Sequence, residues 1–358
     1  MDTLIKDKKI LITGGTGSMG KTLVRRLLSG KYGTPSKIIV FSRDEGKHHQ
    51  MRLEYLHKNV STEEITYNNF KNLLEFRVGD VRNYDDVCFA CRDVDIVINA
   101  AALKQVPSCE YFPYQALLTN CVGAENIIKA ISINNFKVQK VIGISTDKAA
   151  KPVNVMGMTK ALQERMFTTA NILNKETSFM CVRYGNVLAS RGSVIPLFHE
   201  QIRNGGPVTL TVPGMTRFLL SLDDAVDTVL EVLKNGKPGE TFVPRAPSAT
   251  VENIAKALIG NRNDIEIKVT GIRPGEKMHE IMISEEELNH CYPMGNYFAI
   301  QSMLPELSEG TSNRTGLSKE YSSLDEVLNL EETIALLRKN NLIDIEQSQN
   351  LRTSELLR

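Results

Sequence analysis

The chain has 358 residues, a length that allows two domains of about 150 residues each. Hydrophobic residues make up 42% of it, which excludes an intrinsically disordered protein. The formal net charge is +1, which excludes the broad basic surface of a protein that binds nucleic acid or anionic membranes.

The N-terminus and the cysteines indicate a cellular compartment. The first residues lack the basic start and apolar core of a signal peptide. No apolar run approaches the roughly 20 residues that a membrane helix needs. Only Cys88 and Cys91 of the six cysteines stand close together, and no second Cys or His pair gives zinc spacing. We expect a soluble, cytoplasmic protein with free thiols, no metal, and no nucleic-acid or membrane partner.

Short apolar strands alternate with segments of helical periodicity through the first half of the chain. The predicted strands are 10–13, 37–41, 73–78, 96–100, 141–145 and 180–184, and the predicted helices are 19–28, 45–57, 113–133 and 155–172. Strands buried on both faces of a sheet have continuously apolar sequences, as these do. The alternation predicts an α/β fold, a Rossmann-like doubly wound parallel sheet.

The second half changes rhythm after Asn186 and predicts a smaller, interleaved C-terminal substrate domain. Helices are expected at 193–203 and 222–233, and a helix with capping-box spacing is expected from Asn329 to about Lys339. The expected organisation is a Rossmann domain at 1–190 with a returning segment at about 218–245, a second domain from 191–217 and 246–345, and a tail at 346–358.

A glycine-rich turn joins the first strand to the first helix. Gly14, Gly17 and Gly20 have GxxGxxG spacing. The first glycine permits a tight turn, the second lets the backbone approach a pyrophosphate, and the third lets helix pack on strand. Because a strand precedes the turn and a helix follows it, the pattern favours dinucleotide binding over an ordinary turn.

The end of the second strand predicts which dinucleotide is bound. Ser42 and Arg43, supported by Lys47, suit the 2′-phosphate of NADP, which a guanidinium binds in a planar fork. The alternative is a solvated helix start, and Asp44 keeps that alternative open. Asp80, after the third strand, is expected near the adenine. Small residues after the fourth strand, Ala100 and Ala101, are expected along the cofactor.

The fifth strand carries the candidate chemistry. Thr146 lies at its carboxyl end, where ligands bind in open α/β sheets. Lys160 follows Met156 by one helical turn, at the spacing of a Tyr-x-x-x-Lys site with methionine in place of tyrosine. A thioether cannot transfer a proton. Asp147 and Lys148 supply an acid/base pair instead, unless they form only a surface ion pair or Met156 marks a catalytically silent protein.

Several motifs jointly resemble the extended short-chain dehydrogenase/reductases, up to about residue 300. They include Gly14-Gly15-Thr16-Gly17-Ser18-Met19-Gly20, Ser42-Arg43-Asp44-Glu45, Ser145-Thr146-Asp147-Lys148-Ala149-Ala150, Arg183-Tyr184-Gly185-Asn186-Val187 and Arg273-Pro274-Gly275-Glu276-Lys277. Within that class the chain resembles the soluble, 5-inverting UDP-N-acetylglucosamine 4,6-dehydratases, in their capsule-type branch with methionine at position 156. A membrane-anchored, 5-retaining branch also carries that methionine.

The resemblance implies a lyase with a tightly held, recycled NADP, acting on UDP-N-acetylglucosamine in the biosynthesis of surface polysaccharide, as a dimer to hexamer. Oxidation at C4 acidifies the C5 proton, Lys148 removes it, Asp147 protonates the leaving C6 hydroxyl, and C5 is inverted. Asp147 is also our candidate for taking the C4 hydroxyl proton, while Thr146 binds the C4 oxygen and Lys160 orients the ribose.

Motifs and resemblance together give a set of expected binding residues. The cofactor is expected at Gly14, Thr16, Gly17, Ser18, Met19, Gly20, Ser42, Arg43, Lys47, Asp80, Val81, Ala100, Ala101, Lys104, Asn120, Lys160 and Val187, and the substrate at Lys104, Thr146, Asn186, Arg191, Ser193, Val194, Thr216, Arg217, Arg273 and Glu276. For the arginines, ion pairs between the domains are the alternative. For the whole protein, the alternatives are a C5-retaining dehydratase, a nucleotide-sugar 4-epimerase and a silent NADP-binding regulator.

Overall fold

The computed structural model describes residues 3–56, 69–188, 190, 193–307 and 317–343. The predicted tail lies outside these ranges. The strands are β1 Lys9–Thr13, β2 Lys37–Ser42, β3 Leu74–Val78, β4 Ile96–Asn99, β5 Lys140–Thr146, β6 Ser178–Tyr184, β7 Asn186–Val187, β8 Val208–Leu210, β9 Thr216–Leu220, β10 Thr241–Pro244, β11 Ser248–Thr250, β12 Ile267–Val269, β13 Ile281–Ile283, β14 Cys291–Met294, β15 Tyr297–Ile300, β16 Tyr321–Ser322 and β17 Val327–Leu328.

The helices lie between these strands. They are α1 Ser18–Leu28, α2 Glu45–Leu56, α3 Tyr84–Cys91, α4 Val106–Tyr111, α5 Pro113–Leu117, α6 Gly123–Asn134, α7 Val155–Leu173, α8 Val194–Arg203, α9 Leu222–Asn235, α10 Val251–Ile259 and α11 Leu330–Lys339, with a π-helical turn at Leu118–Val122 and 3₁₀ turns at Asp147–Ala149, Glu285–His290 and Pro305–Leu307.

A nine-stranded sheet forms the centre of the fold, in the order β14-β15-β10-β6-β5-β4-β1-β2-β3. Within this sheet, all neighbouring strands along the series β10, β6, β5, β4, β1, β2 and β3 pair in parallel. The other two pairs, β10–β15 and β14–β15, are antiparallel. The predicted α/β parallel sheet is therefore confirmed. The chain order reverses between β1 and β4, and this topological switch point opens a crevice at the carboxyl ends of the strands.

The strand sequences explain the order. The central strands β1, β2 and β4 are buried over most or all of their length, as expected where helices cover both faces of a sheet. The expectation of continuously apolar strands is wrong for the edge strand β3, whose sequence LEFRV carries two charged residues and is only partly buried, because this strand has a neighbour on one side only. Charged side chains at an edge discourage pairing with another chain.

The predicted helix 113–133 differs from the structure, because α5 and α6 are separated by a π-helical turn. Asn120 in this turn is fully buried and hydrogen bonds to Leu103 and to Thr159. A Cβ at Gly123 would lie 3.0 Å from the Val81 side chain, so the helix closely approaches the loop that follows β3. These tertiary contacts have no periodicity in the sequence. Helix α4 was also not predicted.

A second hydrophobic core lies beside the sheet, around α8, α10 and α11. It is bordered by the small sheet β17-β11-β9-β7 and by the strand pair β12–β8. Between these segments the chain returns to the main sheet, where α9 packs on α1 and Arg26 pairs with Asp223 at 2.8 Å and with Asp227 at 3.0 Å. Among the described helices, none combines the length and apolarity that crossing a bilayer requires.

Candidate active site

A cavity of about 710 Å³ lies in the crevice at the carboxyl ends of the parallel strands. Its walls come from the turn after β1, the loop after β4, the end of β5, and the segment around β7. Arg217, Arg273 and Glu280 close the opposite side. They belong to the segments that build and border the second hydrophobic core, which we call the second region. The cavity has the size expected for a small-molecule site. It therefore places one ligand site between the sheet and the second region.

The glycine-rich turn fits a dinucleotide. Gly14 has a φ of +64°, and a Cβ there would lie 2.8 Å from the backbone of Ala101. A Cβ at Gly20 would lie 2.5 Å from Gly15, so this glycine lets α1 pack on the turn. Gly17 caps α1 without a side-chain hydrogen bond, which leaves the first amides of the helix open to the cavity. Open amides at a helix N-terminus bind phosphate.

The far end of the cavity holds a chain of hydroxyl and imidazole groups. Ser42 Oγ lies 3.0 Å from Thr16 Oγ1 and 2.6 Å from His48 Nε2. Burial lowers the pKa of His48, so its imidazole is neutral. Arg43 is half exposed and lies 3.6 Å from Asp80 Oδ2, while Lys47 pairs with Asp44 at 2.8 Å. Arg43 is therefore the better placed cation for a phosphate at this end.

The reacting end of the cavity contains one ammonium group between two carboxylates. Lys148 Nζ lies 3.0 Å from Asp147 Oδ1 and 3.1 Å from Glu280 Oε1. Thr146 Oγ1 donates a hydrogen bond to Asp147 Oδ1 at 2.9 Å. Thr146, Lys148 and Glu280 line the cavity, whereas Asp147 is fully buried behind them. A substrate in the cavity would therefore meet Asp147 through the Thr146 hydroxyl.

The charges of this cluster differ from the expected acid/base roles. Burial acts to lower the pKa of Lys148, but Asp147 and Glu280 outweigh it and raise that pKa, so Lys148 is a stable ammonium. Burial raises the pKa of Asp147; Lys148 acts against this shift and Glu280 acts with it. The predicted base Lys148 is thus held as a proton donor, and Asp147 is the better proton acceptor.

Met156 and Lys160 lie on α7 and both line the cavity. Met156 packs against Cys109 and Ala116, and its thioether offers no group for proton transfer. Lys160 Nζ donates a hydrogen bond to Gln163 Oε1 at 2.7 Å. Burial lowers the pKa of Lys160 to about 8. Lys160 therefore keeps its charge at pH 7 and loses it as the pH rises through about 8, well below the range of an exposed lysine.

The expected substrate arginines are not equivalent. Arg217 Nη1 donates to the carbonyl oxygens of Thr216 and Met278 at 2.7 and 3.3 Å, and its Nη2 donates to the Met215 sulfur at 2.9 Å, so both terminal nitrogens are committed to the fold. Thr216 is buried and bonds to His279 and Ser323. Arg273 is exposed and lines the cavity. It is the better placed cation for a diphosphate. Arg191 lies outside the described residues.

Five buried polar atoms on the cavity wall have no hydrogen-bond partner among the residues that the structure describes. They are Thr119 Oγ1, Ser145 Oγ, Asn186 Oδ1, Ser193 Oγ and Glu280 Oε2. Buried polar groups are nearly always hydrogen-bonded, and an unpartnered one requires an explanation. Their concentration in one cavity indicates that a polar ligand supplies the missing partners.

The remaining expected residues divide by position. The cavity wall includes Gly14, Thr16, Gly17, Ser18, Met19, Gly20, Ser42, Arg43, Lys47, Val81, Ala100, Ala101, Lys104, Thr146, Lys148, Met156, Lys160, Asn186, Val187, Ser193, Arg217, Arg273 and Glu276. Asp80, Asn120, Asp147, Val194 and Thr216 lie outside that wall. Of these, Asp80 pairs with Arg82 at 2.6 Å, and Asn120 fixes the loop after β4.

Sequence reasoning missed Glu280, Thr119 and Tyr184, which line the cavity, and His48, which supports Ser42. Tyr184 lies beside Thr146 in the β5–β6 pair, a position that strand register could have indicated. Glu280 meets Lys148 only through the tertiary fold. Within the described ranges, no group of three or more His, Cys, Asp or Glu side chains is arranged to hold a metal ion.

Comparison with known proteins gives one family and close relatives. Residues 10–302 match the family model described as "Polysaccharide biosynthesis protein". A protein of Rickettsia bellii (strain OSU 85-389) named UDP-glucose 4-epimerase is 45% identical over 342 residues, which cover 92% of this chain and 95% of the relative.

Two solved structures have similar folds. That of Pen from Bacillus thuringiensis has a TM-score of 0.84 and 34% identity, covering 95% of this chain and 99% of Pen. That of DesIV, a dTDP-glucose 4,6-dehydratase from Streptomyces venezuelae with NAD and TYD bound, has a TM-score of 0.62, and covers 75% of this chain and 86% of DesIV. At 20% identity DesIV shows the fold alone.

These relatives correct one expectation. The sequence led us to expect a hydro-lyase, a 4,6-dehydratase that expels water. The expectation is wrong, because the relatives at 45% identity are named as 4-epimerases, which are isomerases. The expectation rested on the resemblance and on the reasoning that an Asp147–Lys148 pair, as acid and base at C5 and C6, disfavours an epimerase. The geometry gives this pair another use, since Thr146 connects Asp147 to the cavity.

Proposed function

We propose that this chain, which belongs to the polysaccharide biosynthesis protein family, is a nucleotide-sugar enzyme that interconverts the C4 epimers of a UDP-linked hexose. The observation that carries the proposal is the hydrogen bond from Thr146 to the buried Asp147, which gives a C4 hydroxyl a proton acceptor without a tyrosine. The 4-epimerase relatives support the same reaction.

The proposed cofactor is NADP. The amides of the glycine turn would donate to the pyrophosphate, Ser42 and Arg43 would donate to the 2′-phosphate, and Ala100 and Ala101 would allow the dinucleotide to lie close to the backbone. Lys160 holds the nicotinamide ribose. When bound, the nicotinamide supplies the chemistry of taking a hydride from C4 and returning it to the opposite face of the ring.

Proton transfer at C4 falls to the side chains of β5 and the turn after it. The hexose C4 hydroxyl donates to Thr146 Oγ1 as Thr146 passes its own proton to Asp147 Oδ1. Burial raises the pKa of Asp147, which makes its carboxylate a stronger base than an exposed one. The same relay runs in reverse when the C4 hydroxyl forms again, so Asp147 takes the proton in the first half-reaction and returns it through Thr146 in the second.

Lys148 supports the same step as a cation. Its ammonium group lies 3.0 Å from Asp147 and lines the cavity. A positive charge at this point stabilises negative charge that develops on the C4 oxygen as its proton leaves. Asp147, reached through Thr146 and assisted by Lys148, thus performs at C4 the proton transfer that the tyrosine performs in a Tyr-x-x-x-Lys site, while Lys160 keeps the position of that site's lysine.

The nucleotide end of the substrate is proposed to lie against the second region. Arg273 supplies a cation for the diphosphate, and Asn186 and Ser193 offer polar atoms that have no partner among the described residues. Glu276 lines the same part of the cavity. This arrangement holds the UDP while leaving the hexose next to Thr146, as epimerisation requires.

The test is to incubate the protein with UDP-glucose, and separately with UDP-N-acetylglucosamine, in heavy water with added NADP. We expect NMR to show the C4 epimer of at least one substrate, with unchanged mass and no deuterium at C5. A product lighter by one water, or deuterium at C5, would contradict the proposal. Failure to convert either sugar while NADP binds would also contradict it.

A further inference from the structure

Lys148, Asp147 and Glu280 form one charged cluster, and of its two carboxylates only Glu280 lies on the cavity wall. Glu280 immediately precedes β13 and contacts Lys148, which lies in the 3₁₀ turn after β5. Its Oε1 lies 3.1 Å from Lys148 Nζ and 3.8 Å from Arg217 Nε. The residue is only 2% exposed. One oxygen of Glu280 is thus fixed by two cations.

The other oxygen of Glu280 is unpartnered. Oε2 is buried and has no hydrogen-bond partner in the part of the chain that the structure describes. The cations near it are engaged elsewhere, since Lys148 also holds Asp147, Arg217 donates to two backbone carbonyls, and Lys277 donates to the Ala150 carbonyl at 2.7 Å. A buried carboxylate oxygen without a donor is costly, so a donor from a ligand would stabilise it.

Asp147 Oδ2 is also buried without a hydrogen-bond partner among the described residues, but Asp147 does not line the cavity and Glu280 does, so a ligand in the cavity meets Glu280. Asp147 is fully buried behind the cavity wall, and a Cβ on Gly185 would lie 3.2 Å from its Oδ2. Glu280 faces the same ammonium from the cavity side. The two carboxylates therefore have different access, one through the Thr146 hydroxyl and the other directly to the cavity.

We propose that Glu280 is a substrate-positioning residue whose Oε2 accepts a hydrogen bond from a hydroxyl of the hexose, while Oε1 holds Lys148 beside it. The inference rests on the proposed function, because it takes a hydroxyl-bearing sugar as the ligand. Although burial acts to raise its pKa, Lys148 and Arg217 lower the pKa of Glu280, so the acceptor is an ionised carboxylate. Charged acceptors give the stronger hydrogen bonds.

The test is calorimetric binding of UDP-glucose and of UDP to the wild-type protein and to Glu280→Gln. We expect UDP-glucose to bind roughly 10-fold more weakly or worse to Glu280→Gln, and UDP to bind within about 2-fold of wild type, since only the sugar reaches Glu280. The matched control is Glu285→Gln, which removes a carboxylate paired with Lys151 in the next turn and should change neither affinity.

An equal loss for UDP and UDP-glucose, or no loss for either, would overturn the role of Glu280. Wild-type protein that binds UDP-glucose no more tightly than UDP would instead overturn the proposed substrate. If Glu280→Gln does not fold, Glu280→Asp serves, because it keeps the charge beside Lys148 and shortens the reach by one methylene. It should lose UDP-glucose affinity and retain UDP affinity, and unchanged UDP-glucose affinity would contradict the inference.

Discussion

The hydroxyl of Thr146 donates a 2.9 Å hydrogen bond to Asp147 Oδ1. Thr146 lines the cavity and Asp147 is fully buried, so the hydroxyl connects the cavity to a carboxylate that a substrate does not touch. This relationship is the basis of the proposed proton transfer at C4, in a site where Met156 stands in place of the expected tyrosine. It also makes Thr146 and Asp147 one functional unit, which the first prediction tests.

Replacing Asp147 by Asn should abolish the proton acceptor and keep the shape of the site. We expect Asp147→Asn to lower the rate of C4 epimerisation by about 100-fold or more, measured by NMR with UDP-glucose. Affinity for NADP should stay unchanged, because Asp147 does not line the cavity.

Thr146 supplies the control for this relay. Thr146→Ser keeps the hydroxyl and should retain most of the activity, whereas Thr146→Val should lose it as Asp147→Asn does. Normal epimerisation by Asp147→Asn would show that another group takes the C4 proton.

Placing a tyrosine at position 156 should change the turnover rate little. Met156 is 5% exposed and packs against Cys109 and Ala116, so a larger ring strains the packing and is expected to destabilise the fold by about 1–3 kcal/mol. Because the proposed Thr146–Asp147 relay accepts the proton without a tyrosine, turnover of Met156→Tyr should change by less than about 10-fold.

The matched variant is Met158→Tyr on the same helix, where the side chain is 52% exposed. It should change neither melting temperature nor turnover. A large rise in turnover in Met156→Tyr alone would mean that the site only tolerates the loss of tyrosine and that the Thr146–Asp147 relay is not the main route.

The buried charge of Lys160 should lower the free energy of unfolding of the ligand-free protein at neutral pH. Burial lowers its pKa from the usual 10.5 to about 8, so the unfolded chain binds the proton more tightly. The free energy of unfolding therefore rises with pH between those two values, and the cost of the buried cation is fully present below about pH 8.

Lys160→Met removes that charge at similar length. We expect its melting temperature to exceed that of wild type by a few degrees near about pH 7 and the difference to disappear towards pH 10. NADP affinity should fall, since Lys160 is proposed to hold the ribose. The control is Lys129→Met, which removes an exposed lysine. A constant difference at all pH values would contradict the assignment to Lys160.

The choice of cofactor should depend on Arg43. Its guanidinium lies at the end of the cavity beside Ser42, and only NADP places a phosphate there. We expect Arg43→Ala to weaken NADP binding by about 10- to 100-fold and to leave NAD binding unchanged. Calorimetry with both dinucleotides measures this ratio.

Arg82→Ala is the comparison for Arg43, because Arg82 also pairs with Asp80 but does not line the cavity. It should preserve the preference for NADP. Equal affinities of wild-type protein for NADP and NAD would contradict the cofactor assignment.

Most of the parallel sheet was predictable from local sequence. Strands such as β2 and β5 are runs of mainly apolar residues with turns at both ends. Helix α1 follows the glycine-rich turn, and α11 begins at the capping box of Asn329 and Glu332, so both starts are visible in the sequence. The π-helical turn at Leu118–Val122 was not predictable, because it depends on contacts with residues distant in sequence. Asn120 hydrogen bonds to Leu103 and Thr159, and Gly123 packs closely against Val81.

The sequence by itself determined the strand–helix alternation, the glycine turn and the placement of Thr146 and Lys160 near a switch point, because periodicity and turn chemistry act over a few residues. Only the tertiary structure decided which carboxylate faces the cavity. Asp147 is adjacent to Lys148 in sequence yet buried behind the wall, and Glu280 comes from the second region. Burial and charge pairing depend on what packs around a group, and that environment exists only in the folded chain.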